Sequence, residues 1–217
     1  TGYVYFAAQE MPFPYKGRKD WEYHNDEWNL GIHFSAGSLP EDPAEAAKIV
    51  PLLKGRLLAW DPVKNEEVFR VEHPGPWNGG TLATAGGLVF QGTPGGEFAA
   101  YDDTTGEKLW STDAQTGVVA GPISYEVDGE QYIAVSVGWG TVYGLLIPGQ
   151  QKPISRLLVF KKGGEASLPK RDFARAEWPA PDEMPEYTGT TKQVAMGKEL
   201  YLTRCIWCHG DAGMSGG

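Results

Sequence analysis

Short runs of alternating apolar and polar residues, broken by glycine-rich turns, fill most of the chain, the pattern of half-buried β-strands. Thr1–Ala8 reads as a strand from the first residue. Gly80–Thr84, Gly87–Gln91, Glu97–Tyr101 and Lys108–Ser111 form a group of four. Val118–Glu126, Gln131–Val137 and Thr141–Ile147 follow, with Asp128-Gly129 as a hairpin turn signal. Two segments break the alternation. Residues 10–54 make a long insertion rich in proline and aromatics, including Trp21, Tyr23, Trp28, His33 and Phe34; that content favours a packed loop, covering a sheet edge or shaping access to a site. Residues 161–190 carry Lys, Pro, Glu and Asp with little periodicity and read as an interdomain linker. A helical pattern occurs at Thr191–Arg204, where Val194, Leu200, Tyr201 and Leu202 stand among Lys, Gln and Glu.

Within the strand-rich part the chain repeats itself. Ala59-Trp60-Asp61-Pro62-Val63-Lys64-Asn65-Glu66-Glu67-Val68-Phe69 matches Ala100-Tyr101-Asp102-Asp103-Thr104-Thr105-Gly106-Glu107-Lys108-Leu109-Trp110 at an offset of 41 residues. In each copy the Asp is placed to cap a tight turn, Asn65 or Gly106 supplies the left-handed position that closes it, and the aromatic is free to pack against a neighbouring unit. A period near forty with four short strands is the signature of a β-propeller blade. The chain therefore holds two nearly complete blades and part of a third, too few to close a ring.

Composition agrees with a turn-rich β domain: 29 Gly, 16 Pro and 8 Trp in 217 residues. A net charge of −9 argues against nucleic acid and leaves a basic protein partner, such as a small cytochrome, open. No run of eighteen apolar residues is present, so no membrane span is expected. The chain opens in a strand with neither initiator Met nor secretion signal, and is expected to be a C-terminal piece of something longer.

The two cysteines stand in Cys205-Ile206-Trp207-Cys208-His209. This is the spacing at which two thiols add to the vinyl groups of a porphyrin while the adjacent His turns under the ring to ligate iron. Zinc would need a second pair of ligands, and His24, His33 and His73 lie far upstream in other contexts. A redox dithiol would follow a strand, whereas a helix precedes this motif. Covalent haem c, with Cys205 and Cys208 as attachment points and His209 as axial ligand, is the reading adopted. Met214 is too close in sequence to reach the opposite face of the haem. Covalent haem attachment takes place outside the bacterial cytoplasm, which makes the periplasm the expected compartment.

Taken together, the blade motifs, Pro76-Trp77-Asn78-Gly79-Gly80-Thr81-Leu82-Ala83-Thr84-Ala85-Gly86-Gly87-Leu88-Val89-Phe90-Gln91-Gly92-Thr93, Val137-Gly138-Trp139-Gly140 and the C-x-x-C-H, in this order, resemble the quinohaemoprotein alcohol dehydrogenases. The resemblance implies a mainly β fold. Residues 1–160 would be the C-terminal blades of an eight-bladed propeller carrying pyrroloquinoline quinone (PQQ) and Ca²⁺. Residues 161–190 would be the linker, and 191–217 the first helix and haem-attachment motif of an all-α cytochrome c domain. It implies oxidation of a primary or secondary alcohol to an aldehyde or ketone by hydride transfer to PQQ. Electrons would pass to haem c and on to an acceptor such as a small cytochrome, a copper protein or a quinone. A terpenoid, cyclic or polymeric alcohol is the alternative substrate, governed by loop 10–54, and a cofactor-free propeller scaffold the alternative class. The PQQ contacts carried over are Trp77, Asn78, Gly138, Trp139 and Gln9. Glu10 stands where an Asn is expected. The catalytic Asp, the Ca²⁺ ligands and the disulfide of adjacent cysteines that covers PQQ in relatives have no counterpart in this chain.

Overall fold

The structure, a computed structural model, describes residues 1–13, 15–25, 29–32, 40, 42–138, 154–169 and 188–205. The chain divides into two compact units. The first comprises Thr1–Pro12, Leu39–Thr141 and Pro153–Asp172 and holds three antiparallel sheets.

The first sheet is ordered β1 (Val4–Glu10), β2 (Lys54–Asp61), β3 (Glu66–His73). The central sheet runs β4 (Thr81–Thr84), β5 (Leu88–Gly92), β6 (Glu97–Asp102), β7 (Lys108–Asp113), each strand beside its predecessor, the meander expected of one blade. The last sheet is ordered β10 (Arg156–Lys161), β9 (Glu130–Val137), β8 (Ile123–Val127).

Alternation decides how the sheets stack. In β5 and β6, Phe90, Phe98 and Ala100 form one cluster with Ile133, Val135, Val137 and Leu158 of the last sheet, while Val89, Ala99 and Tyr101 form another with Leu57 of the first. Both faces of β5 and β6 are therefore buried. The far faces of the outer sheets are exposed, with Val4 and Phe6 on one and Ile123, Tyr125, Leu157 and Val159 on the other.

The 41-residue repeat is a repeat of backbone geometry. Asp61 Oδ1 accepts from the N–H groups of Val63 and Lys64 (2.9 and 3.0 Å), and Asp102 Oδ1 accepts from those of Thr104 and Thr105 (both 2.9 Å). Asn65 and Gly106 close the two turns at φ 58° and 75°. The pairing register slips at Ala59/Trp60 in one copy and at Ala100/Tyr101 in the other, so even the bulge recurs. The aromatic of the motif packs between sheets as expected: Trp110 meets Phe160 of β10 edge-on, ring centroids 5.4 Å apart.

Several boundaries differ from the sequence reading, beginning with the first strand, read over Thr1–Ala8 and found at Val4–Glu10. The strand expected over Val118–Glu126 starts at Ile123, because Pro122 has no N–H to give a ladder and Val118 instead forms a parallel bridge with Gly138. Arg156–Lys161, at the edge of the expected linker, is a strand and closes the last sheet; the strand expected at Thr141–Ile147 lies outside the described residues. Loop 10–54 contains a helix, α1 (Pro43–Ile49), capped by Asp42 Oδ1 accepting from Ala44 N–H at 2.8 Å, with proline in its first turn.

The second unit comprises Phe13–Ser38, Val142–Lys152 and Phe173–Gly217; the described part of the long insertion in it is mostly exposed, Tyr15 and Tyr23 included, and not the packed loop its aromatic content suggested. Gly17 bridges Ile32, and the Trp21 ring covers the open side of Gly31 at 3.9 Å from a Cβ placed there. The expected helix is α2 (Thr191–Leu200), opened by a reciprocal cap between Thr190 and Gln193 and continued by a π-turn over Tyr201–Cys205. No helix among the described residues is long and apolar enough to cross a membrane.

Candidate functional site

The segment 75–80 belongs to no strand, yet it is held from every side. Trp77 sits at φ 59°, a left-handed backbone that a bulky residue adopts only under constraint. The constraint is Gln9, at the end of β1, whose Oε1 accepts the Trp77 N–H at 3.0 Å. Asn78 Nδ2 donates to the Gly75 carbonyl at 2.9 Å. Gly79 N–H donates to the Gly92 carbonyl at 2.9 Å.

Glycines make the surrounding space. A Cβ on Gly55 would lie 2.1 Å from Gly75 O and 2.2 Å from Asn78 Nδ2; one on Gly79 would lie 2.8 and 2.9 Å from the carbonyls of Ala120 and Val118. Through Val118, which bridges Gly138, the segment reaches the first residue of the Gly-Trp-Gly motif. Gly138 has φ 145° and donates its N–H to Gly117 O at 2.7 Å. Thus Gln9, Trp77, Asn78 and Gly138, widely separated in sequence, belong to one neighbourhood. Trp139 lies outside the described residues. An open cleft of about 460 Å³ starts at Gly138 and includes Val119, Ala120 and Arg156, whose Nη1 donates to Gln115 Oε1 at 3.2 Å.

Residues alternate sides along β1, and Glu10 pairs with Arg56, whose side chain is largely buried and which holds the Glu10 carboxyl below its ordinary range. The sequence singled out neither Arg56 nor two further residues of this region, Gln91 and His73. Gln91 is fully buried; its Nε2 donates to the Gly79 carbonyl at 3.0 Å, and its Oε1 lies 2.8 Å from His73 Nε2. A polar residue inside the run Leu88-Val89-Phe90-Gln91 was the available signal. Beside it, burial pushes the Tyr101 hydroxyl up to about 12, so it stays protonated.

The residues present fit PQQ on one particular observation. Asn78 Oδ1 is buried and has no hydrogen-bond partner among the described residues, a position that calls for a donor from a bound group. PQQ brings a pyrrole N–H, and its quinone and carboxylate oxygens suit indole and amide donors. Among the described residues no cluster of three or more His, Cys, Asp or Glu could hold a metal ion, so no Ca²⁺ ligand is assigned. Cys205 is exposed at the end of the π-turn; Cys208 and His209 lie outside the described residues.

Residues 55–133 match the β-propeller domain model of the PQQ glucose/ethanol/alcohol dehydrogenases, and this stretch is a segment of a PQQ-type propeller. Over its whole length the chain is 41% identical to the dehydrogenase subunit of a quinone-linked alcohol dehydrogenase of Acetobacter aceti, covering 30% of that protein. It is 40% identical to a 1-butanol dehydrogenase (cytochrome c) of Thauera butanivorans, covering 31%. Among solved structures, a quinohaemoprotein alcohol dehydrogenase of Pseudomonas putida HK5 superposes on all of the chain with a TM-score of 0.77 at 36% identity, 32% of that structure being covered. The enzyme of Comamonas testosteroni superposes on 96% of it with a TM-score of 0.65 at 38% identity. The chain is therefore a homologue of the quinohaemoprotein alcohol dehydrogenases, spanning about a third of their length.

Proposed function

We propose that the protein carrying this chain is a PQQ-dependent alcohol dehydrogenase. It oxidises a primary or secondary alcohol to an aldehyde or ketone and passes the electrons through covalent haem c to an external acceptor such as a small cytochrome, a copper protein or a quinone. The observation that carries the reading is the Trp77-Asn78 turn, strained, clamped by Gln9 and ending in a buried amide oxygen that has no donor among the described residues.

When bound, PQQ supplies a quinone able to accept a hydride from the alcohol carbon, and Ca²⁺ held by residues outside this chain would polarise it. The residues of this chain place and enclose the ring. Trp77 would offer its indole face and N–H, Asn78 its buried carbonyl to the pyrrole N–H, and Gln9 its Nε2 to a cofactor oxygen while Oε1 keeps Trp77 in place. Gly79, Gly92 and Gly138 let backbone approach closely where side chains would intrude. In the other unit, Cys205 and Cys208 would hold the haem through thioethers and His209 would ligate its iron. Covalent haem attachment puts the mature protein in the periplasm. The three described sheets would be part of an eight-bladed ring, with α2 leading into an all-α cytochrome c domain.

The test uses the full-length protein loaded with PQQ and Ca²⁺, its haem oxidised. A primary alcohol added without any external acceptor is expected to reduce the haem bands promptly. A haem that stays oxidised across a panel of alcohols yet is reduced by dithionite would overturn the reading.

A further inference from the structure

We infer that Gln91 is a positioning residue for the cofactor turn: it locks His73 in one tautomer and, through the Gly79 carbonyl, sets where Trp77 and Asn78 present themselves. This rests on the proposed PQQ site and goes beyond it, because Gln91 would touch no cofactor.

The argument begins with location. Gln91 lies on the face of the central sheet that carries Val89, Ala99 and Tyr101, the face packed on Leu57 of the first sheet. A side chain of this polarity, 1% exposed, is tolerated between two apolar sheets only when each of its polar ends is satisfied. Both are, and by different elements. Nε2 donates to the carbonyl of Gly79 (3.0 Å), and Oε1 faces Nε2 of His73 (2.8 Å), the last residue of β3.

The chemistry of the amide then fixes the histidine. Gln91 has its donor end on a carbonyl, so its oxygen is what meets His73, and an oxygen acceptor requires that His73 Nε2 carry the proton. Gln91 accordingly ties the strand that leads into the segment to the residue that leads out of it: His73 precedes Pro74-Gly75, and Gly79 precedes β4. Between these anchors lie Trp77 and Asn78. Gly79 is pinned twice, its N–H by Gly92 O and its carbonyl by Gln91, and a Cβ would have no room there. Losing the Gln91 bond leaves the Gly79 carbonyl without that partner two residues after a left-handed tryptophan, and the turn loses a side-chain clamp that acts alongside Gln9 and the Asn78 amide.

The test compares wild type with Gln91→Leu, Gln91→Glu and a control, Thr93→Val, in the full-length protein. The Thr93 hydroxyl is buried two residues further on and bonds only to Glu97 among the described residues. PQQ binding to the apoprotein is titrated at a temperature where every variant is folded, alongside thermal unfolding and ¹⁵N NMR of the His73 ring. By analogy with outer-shell partners of metal ligands, Gln91→Leu should weaken PQQ binding roughly 10- to 100-fold. Its His73 should no longer show the single Nε2–H tautomer. Gln91→Glu keeps an acceptor for His73 but cannot donate to Gly79, so it should hold the tautomer and still bind PQQ weakly. Thr93→Val should unfold at lower temperature with unchanged affinity. Equal PQQ affinity in wild type and Gln91→Leu would overturn the inference, as would an affinity loss in Thr93→Val as large as that in Gln91→Leu. A wild type that binds no PQQ would instead overturn the proposed function, and the inference with it.

Discussion

The ring of Phe69, in the first sheet, lies against the bare Cα of Gly106, in the turn between β6 and β7 of the next: a methyl group at Gly106 would stand 2.5 Å from Cδ2 of that ring. The contact joins the two copies of the repeat, the aromatic that ends one motif resting on the glycine that closes the turn of the other. Gly106 is thus fixed by two demands at once, the φ of 75° and the absence of a side chain.

Gly106→Ala should therefore destabilise the protein more than either demand alone would. Left-handed backbone costs an alanine about 1–2 kcal/mol, and the ring must give way at about 1–3 kcal/mol more. Equilibrium unfolding in urea measures the sum, and relief of the loss by Phe69→Leu would identify the ring as the cause.

Asp102 predicts an acid-sensitive turn. Hydrogen bonds from the Thr104 hydroxyl and from the Thr104 and Thr105 N–H groups bring its carboxyl from the ordinary 3.8 down to about 2. Asp61 is lowered in the same direction by the N–H groups of Lys64 and Val63. A carboxyl that titrates lower in the folded state than in the unfolded one contributes its full stability above the unfolded value and loses it as pH falls through the folded one. Stability should thus decline from about pH 4 toward pH 2, and Asp102→Asn, which keeps an oxygen for the two N–H groups, should be less stable at neutral pH with a shallower decline. Unfolding midpoints across that range measure it.

Gly55→Ala probes the cofactor turn from beneath. The new methyl would displace Gly75 and the Asn78 amide, which lie 2.1 and 2.2 Å from it. A misplacement on the order of 1 Å can cost up to a hundredfold in rate. The variant should bind PQQ more weakly and turn over alcohol more slowly, while haem content stays that of wild type. Fluorescence titration with PQQ and the haem-reduction rate read the two effects separately.

Replacing both Cys205 and Cys208 by alanine should abolish covalent haem and leave PQQ binding intact. Denaturing electrophoresis with haem staining is the measurement. Retention of haem on the denatured double variant would refute thioether attachment at this motif.

The repeated unit was legible because its turn chemistry is local: an Asp that caps its own backbone and a residue able to take positive φ leave a fixed spacing in the sequence. Strands β4 to β7 and the helix before Cys205 followed from alternation and periodicity. β10 was not legible, since it abuts the polar linker and its pairing with β9 is long-range, joining Arg156 to Val137 and Lys161 to Tyr132; only Gly163-Gly164, where the chain turns at φ 74°, marked its end. The candidate site was legible in its residues and not in its bonds. Gln9 could be placed near a cofactor by resemblance, yet its hold on the Trp77 N–H joins positions 68 residues apart. Gln91 looked like one polar residue in an apolar strand, and only the stacking of two sheets gives both of its ends a partner.

The two copies of the turn also differ in how far each is free to change. Asn65 and Gly106 reach the same region of backbone space with different side chains, so what descended along the chain is a conformation and not an amino acid. Exchange between the copies has a direction: glycine could replace Asn65 and keep the angle, whereas asparagine could not replace Gly106, because Phe69 already fills the space it would need. A pair of homologous turns has become, through one neighbouring ring, a one-way street for substitution.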